Sequence, residues 1–287
     1  MGIKHKVIRG FVAAMIATLV SCGGKGSDSS KDELDLLLAD SIPVDTLNIE
    51  EEGLSLVEDK TPQFDGLFND FLFAYLHSHS LRQERTTNPL PLEHLEHSTE
   101  ILKNFCPEHE FSFLTGEYFT TLYGSATQMH EEDEEEFEED SIVNLQRICL
   151  NDGSIRNFQF LRAKGQWRLE AIRETAFDND ELDDFLSFYA RFSSDSLFQS
   201  QSIADPLRIS IQDADDEDGN IDGIIDAAQW QTFCPEVPCG IISNIRKGQD
   251  YSGNRILLRK SGLSNGLQEV FTFTKERGTW HLTKYEN

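Results

Sequence analysis

The chain has 287 residues and carries 51 acidic against 25 basic side chains, a formal net charge of −26. A field of that sign repels phosphate backbones and anionic lipid heads. It argues against nucleic-acid partners and against a polybasic membrane anchor.

Lys4, Lys6 and Arg9 precede an apolar run from Phe11 to Val20, and Ser21, Cys22 and Gly23 follow it. A basic start, a short apolar stretch and small residues at the junction read as a secretory signal over residues 1–21. The run is about half the ~20 residues a bilayer-spanning helix needs. Its end, Leu19-Val20-Ser21-Cys22, resembles a bacterial lipobox. The resemblance implies cleavage before Cys22, a diacylglycerol on its thiol and an acyl chain on its amine. Several acyl chains on one residue give stable anchoring. The expected location is the bacterial outer membrane, on its periplasmic or its outer face. Cleavage also removes Lys4, Lys6 and Arg9, so the mature chain is more acidic still.

Residues 22–62 are rich in Gly, Ser and acids, with no apolar period beyond Leu34 to Leu38. Such a composition buries too little to offset the cost of ordering, and it reads as an acidic flexible tether. Asp28, Asp32 and Glu33, soon after Cys22, resemble the export signal of surface-exposed lipoproteins in Bacteroides-type bacteria.

The remainder reads as one domain written twice, over residues 63–174 and 175–287. Asn69-Asp70-Phe71-Leu72-x-x-Tyr75 answers Asp183-Asp184-Phe185-Leu186-x-x-Tyr189. Leu67, Phe68, Phe71, Leu72, Tyr75 and Leu76 share a helical face, as do Leu182, Phe185, Leu186, Tyr189 and Phe192. Asp178 and Glu181 have the spacing of a capping box for the second helix. Pro89-Leu90 answers Pro206-Leu207, and Phe105-Cys106-Pro107-Glu108 recurs as Phe233-Cys234-Pro235-Glu236. Phe158-x-Phe160-x4-Gly165-x-Trp167-x-Leu169 returns 113 positions later as Phe271-x-Phe273-x4-Gly278-x-Trp280-x-Leu282. Alternate Phe residues, a basic-Gly reversal with positive φ and Trp-x-Leu predict a closing β-hairpin in each copy. Helices first and antiparallel strands afterwards give an α+β fold: two tandem cone-like domains, each with N-terminal helices and a curved antiparallel sheet.

On these landmarks the chain resembles the cone-shaped nuclear-transport-factor-2-like (NTF2-like) superfamily. More narrowly, it is similar to an uncharacterised family of Bacteroides-group lipoproteins with that fold. The resemblance covers residues 64–287. It implies a curved sheet wrapped on a helix around a pocket, used for catalysis in some members and for binding or pairing in others.

Candidate chemistry is sparse. Besides Cys22, Cys106, Cys149, Cys234 and Cys239 make an even number, as disulfides in an exported protein would. Cys234 and Cys239 are close enough for a local bridge, which leaves Cys106 with Cys149; free thiols packed as small hydrophobes are the alternative. Asp216, Asp218 and Asn220 occupy the third, fifth and seventh places of a calcium loop around Gly219, with Asp222 beyond. Ala214 and Ile225 stand where its first and twelfth ligands belong. An irregular calcium site on Asp216, Asp218, Asn220 and Asp222 competes with a plain solvated acidic loop. No other cofactor is expected.

The acidic run Glu131 to Asp140 reads as a wet connection between strands. Gly262-x-Ser264-x-Gly266 matches a nucleophile elbow in letters, but a strand rather than a helix follows, so it reads as a turn. His77, His79, His94 and His97 lack a zinc signature and read as exposed or capping residues.

The expected role is a cell-envelope lipoprotein acting as a non-catalytic binding or interaction module. Its partners would be the membrane, through the lipid, and a small molecule or envelope protein. The rival is an isomerase- or dehydratase-like enzyme with a general acid or base inside a cone. A structural envelope partner is the third reading. The contents of the cone interior discriminate between them.

Overall fold

A computed structural model describes residues 64–94, 99–102, 105, 107–114, 116–131, 141–212, 219–233, 235–263 and 266–287. Helix α1 (Phe68–His77) buries Phe68, Phe71, Leu72 and Tyr75, one stripe at helical spacing, while Leu67 stays largely exposed. It stops at the extended residue Ser78, whose Oγ accepts from Leu81 N and so caps α2 (His79–Glu84). The second half repeats this device. Helix α5 (Asp183–Ser194) stops at Asp195, whose carboxylate accepts from Leu197 N and Phe198 N to cap α6 (Ser196–Gln201).

The expected Asp178–Glu181 capping box does not form. Asp178 lies in a short 3-10 turn, and α5 begins at Asp183 without a side-chain cap. Asp180 instead accepts from Leu182 N at 2.9 Å, and Arg246 pairs with both Asp180 and Glu181. A distant guanidinium therefore takes Glu181, one of the two residues that local spacing had assigned to a cap, while Asp178 accepts from Asn179.

In the first half the helices lead to β1 (Leu90–Glu93), β2 (Thr99–Leu102), the one-turn α3 (Pro107–Glu110), β3 (Tyr118–Tyr123) and α4 (Ala126–Glu131). Strands β4 (Ile142–Cys149), β5 (Ser154–Ala163) and β6 (Gln166–Ala176) follow. The second half has β7 (Ile203–Gln212), β8 (Asn220–Ile225), α7 (Trp230–Phe233), β9 (Ile241–Arg246), β10 (Arg255–Gly262), β11 (Gln268–Glu276) and β12 (Thr279–Glu286).

The predicted hairpins are β5–β6 and β11–β12. Lys164 and Gly165 have φ of 54° and 71°, and Arg277 and Gly278 have φ of 50° and 86°, so each pair turns the chain in the sense that matches strand twist. Both hairpins slip register once, at Gln159/Phe160 and at Thr272/Phe273. Such bulges bend a strand and let a sheet curl over a helix. Phe68 lies edge-on to Trp167 with ring centres 5.1 Å apart, and Phe185 lies edge-on to Trp280 at 5.3 Å. The hairpin is thus stitched to the helix stripe in the same way twice.

The sheets run β2-β1-β6-β5-β4-β9 and β3-β10-β11-β12-β7-β8. Within each, one parallel pair (β1–β6, β7–β12) joins otherwise antiparallel neighbours. The outermost strand is exchanged. β9 pairs with β4 of the first half, and β3 pairs with β10 of the second. The two exchanged strands meet at Thr120 and Ser243. Each backbone N–H donates to the other's Oγ (2.8 and 3.0 Å), and each hydroxyl donates to the other's carbonyl (2.6 and 2.9 Å). This reciprocity is that of a two-fold interface, here inside one chain. The Gly262–Gln268 connection joins two antiparallel strands, as expected of a turn; Ser264 lies outside the described residues.

Candidate functional site

Alternation along the strands places one ionisable rung at the end of each apolar sheet face. On β4, Val143 and Leu145 point into the first core, so Arg147 shares their face; on β5, Phe158 does so, and Arg156 shares its face. Arg147 and Arg156 are direct cross-strand partners. Arg156 reaches Glu110 on α3 at 3.1 Å and Glu174 on β6 at 2.9 Å. His94, just past β1, meets Glu174 at 2.9 Å. His94 is therefore part of this mouth, not the plain exposed histidine the sequence led us to expect.

The same construction gives the second mouth. Leu258 and Phe271 face the second core, and two residues further along their strands stand Lys260 and Glu269. These are cross-strand partners and form an ion pair at 2.8 Å, with side chains only 6% and 7% exposed. The Tyr285 hydroxyl donates to Glu269 at 2.5 Å, and the Lys260 ammonium lies 4.7 Å from the centre of the Tyr118 ring. Burial, reinforced by Glu269, holds the Tyr285 hydroxyl well above the ordinary phenol range. Burial and the nearby Glu236 also raise Tyr118. These phenols stay protonated, and Tyr285 acts as a hydrogen-bond donor. Tyr189, raised by its full burial, donates to the carbonyl of Pro238 at 2.8 Å.

Open concavities lie around the rims. One of about 490 Å³ is lined by His79, Arg82, Thr86, Asn88, Leu102 and Phe105, a mixture of polar and apolar groups. The Tyr75 hydroxyl shares a 2.6 Å hydrogen bond with Thr86 at that wall. A smaller pocket of about 150 Å³ is almost wholly apolar, walled by Leu72, Phe73, Leu114, Phe119, Ile245 and Leu263. A third, of about 490 Å³, runs along β7 and β8 past Arg208, Asp222, Ile224 and Lys284.

Cys22 lies outside the described residues, as do Cys106, Cys234, Asp216 and Asp218. Cys149, at the end of β4, and Cys239, before β9, are free thiols. Asn220 and Asp222 stand on β8, paired with Gln212 and Ser210. Among the described residues, no group of three or more His, Cys, Asp and Glu side chains is placed to hold a metal, and no helix is long and apolar enough to cross a membrane.

Asp184, in the first turn of α5, accepts from Lys275 Nζ at 2.7 Å and from Trp280 Nε1 at 2.6 Å. Those contacts, Lys275 foremost, hold its carboxyl below the usual range. Sequence inspection passed over Arg147, Arg156, Lys260 and Glu269. The available signal was a charge interrupting an apolar alternation, at the same place in both halves.

The model of the family described as "Domain of unknown function (DUF4348)" matches residues 49–287. A crystal structure of an NTF2-like protein from Bacteroides fragilis NCTC 9343 is similar to the chain, with 28% identity and a TM-score of 0.68. The likeness covers 78% of this chain and 96% of that one, a span longer than either half alone. No curated protein matches.

Proposed function

The chain belongs to the family described as a domain of unknown function, DUF4348, and from that premise we propose that it is a lipid-anchored, non-catalytic binding module of the bacterial cell envelope. Its NTF2-like fold presents two α+β cones of common element order, which we read as a duplicated unit. The observation that carries the binding role is how the second cone uses its charges. Lys260, Glu269 and Tyr285 are closed on one another in the interior. Buried groups neutralised in this way hold structure rather than exchange protons with a substrate. The concavity beside Thr86 instead combines apolar residues with neutral polar groups and one guanidinium, that of Arg82, the chemistry of recognition.

The enzyme reading has one observation in its favour, the 2.5 Å Tyr285–Glu269 contact beside Lys260, which resembles an acid–base pair in a low-dielectric site. The anchor rests on the Leu19-Val20-Ser21-Cys22 junction. Metabolic labelling with a fatty-acid analogue tests it. Wild-type protein should carry label and partition with membranes, and Cys22→Ser should lose both. A labelled, membrane-bound Cys22→Ser protein overturns the lipoprotein assignment.

A further inference from the structure

We infer that the mouth of the first cone is a receptor site for a small organic carboxylate that also carries a hydrogen-bond donor, such as a hydroxy or amino acid, with Arg147 as the residue that takes the carboxylate. The inference rests on the binding-module reading and names the ligand class for it.

In the second half the cross-strand pair is Lys260 with Glu269, opposite charges in contact. In the first half the pair at the corresponding place is Arg147 with Arg156. Like charges directly opposite on one sheet face are destabilising, so the position has a cost unless an anion joins it. Arg156 is satisfied in part, its two terminal nitrogens going to Glu174 and Glu110. Arg147 has no hydrogen-bonding or ion-pair partner among the described residues, and its Nε is buried without one. The Nε of Arg156 is buried without a partner as well. Two buried N–H donors aimed at one face, beside an uncommitted guanidinium, are what a planar carboxylate accepts from.

Glu110 defines the other end of the ligand. Its Oε1 accepts from Arg156, while its Oε2 is buried with no donor among the described residues. A buried carboxylate oxygen without a donor calls for a hydroxyl or ammonium group. The Glu110 and Glu174 carboxylates also make the mouth unfavourable for a doubly charged phosphate, which has little to donate. One negative charge at Arg147 and one donor at Glu110 fit a short hydroxy or amino acid.

The test uses the purified mature protein with glycolate, acetate and inorganic phosphate as probes. On titration with glycolate, the Arg147 and Arg156 Nε–H resonances of the wild type should shift together. Calorimetry should give glycolate a higher affinity than acetate or phosphate. Arg147→Gln should weaken glycolate at least tenfold, while Arg173→Gln, an exposed arginine paired with Glu93, should change it less than twofold. Arg147→Glu rebuilds the opposite-charge rung of the second half, so it should keep or raise the melting temperature and abolish binding. Absence of an Nε–H shift in the wild type, equal glycolate affinity in wild type and Arg147→Gln, or tighter binding of phosphate than of glycolate each overturns the assignment. The wild-type resonances need no variant to fold. The Cys22 labelling result is independent of all of them, so failure of the ligand and failure of the anchor are told apart.

Discussion

The two halves share a backbone plan and differ in how they hold their closing hairpin and fill their mouths. In the first half the hairpin is clamped from inside. Asp65 forms a two-pronged pair with Arg85 (3.1 and 3.2 Å) and also accepts from Trp167 N, all fully buried. In the second half Asp184 holds Lys275 and the Trp280 indole from the surface. The mouths differ in the same spirit: a closed Lys–Glu rung in one, an open Arg–Arg rung in the other. The halves agree in topology and differ in side-chain chemistry. What topology demands can be met by any pair that fits, whereas a ligand demands a particular one.

The largest expected effect breaks the internal clamp. Asp65→Ala leaves the buried Arg85 with only the exposed Glu84, 3.2 Å from its Nε, as an ion-pair partner and should cost about 3 kcal/mol in a denaturant titration. Next comes the closed rung. Lys260→Met alone should cost about 3 kcal/mol, because Glu269 stays buried and unpaired, whereas Lys260→Met with Glu269→Leu should recover most of that loss. If the double variant is no better than the single, the pair is more than a structural substitute for apolar packing.

The smallest effect is at the exposed anchor. Asp184→Asn should cost about 0.2–1 kcal/mol, since its carboxyl is largely in water. Its pKa is depressed in the folded state, so this contribution is present above the unfolded value of about 3.9 and disappears as pH falls through the lower folded value. Wild type and Asp184→Asn should therefore converge in acid and differ at neutral pH. A pH-independent gap would assign the effect to packing.

Much of the fold was legible because local periodicity and tertiary burial agree. Phe68, Phe71 and Tyr75, and their counterparts Phe185 and Tyr189, are buried as their spacing requires, and both Gly-turn hairpins form at the marked residues. The strand exchange was not legible. Tyr118–Tyr123 and Ile241–Arg246 show runs of buried residues rather than alternation, and nothing local says which sheet each joins. The mouths were missed for a related reason. An Arg inside an apolar alternation reads as the end of a strand until its cross-strand neighbour is known, and Arg156 is a neighbour only in the folded sheet. The Asp65–Arg85 clamp is likewise a contact between residues that share no motif.

The meeting of Thr120 with Ser243 has a mechanical consequence. A hinge needs a seam that few contacts cross, but here each half has lent the other a strand, and the loans are locked together by reciprocal bonds. Cutting the backbone between the halves would leave two pieces still interlaced, like clasped hands with the arms severed. Any motion that admits a ligand must then belong to the loops around a mouth, since swinging one half from the other would first have to unzip β9 from β4 and β3 from β10.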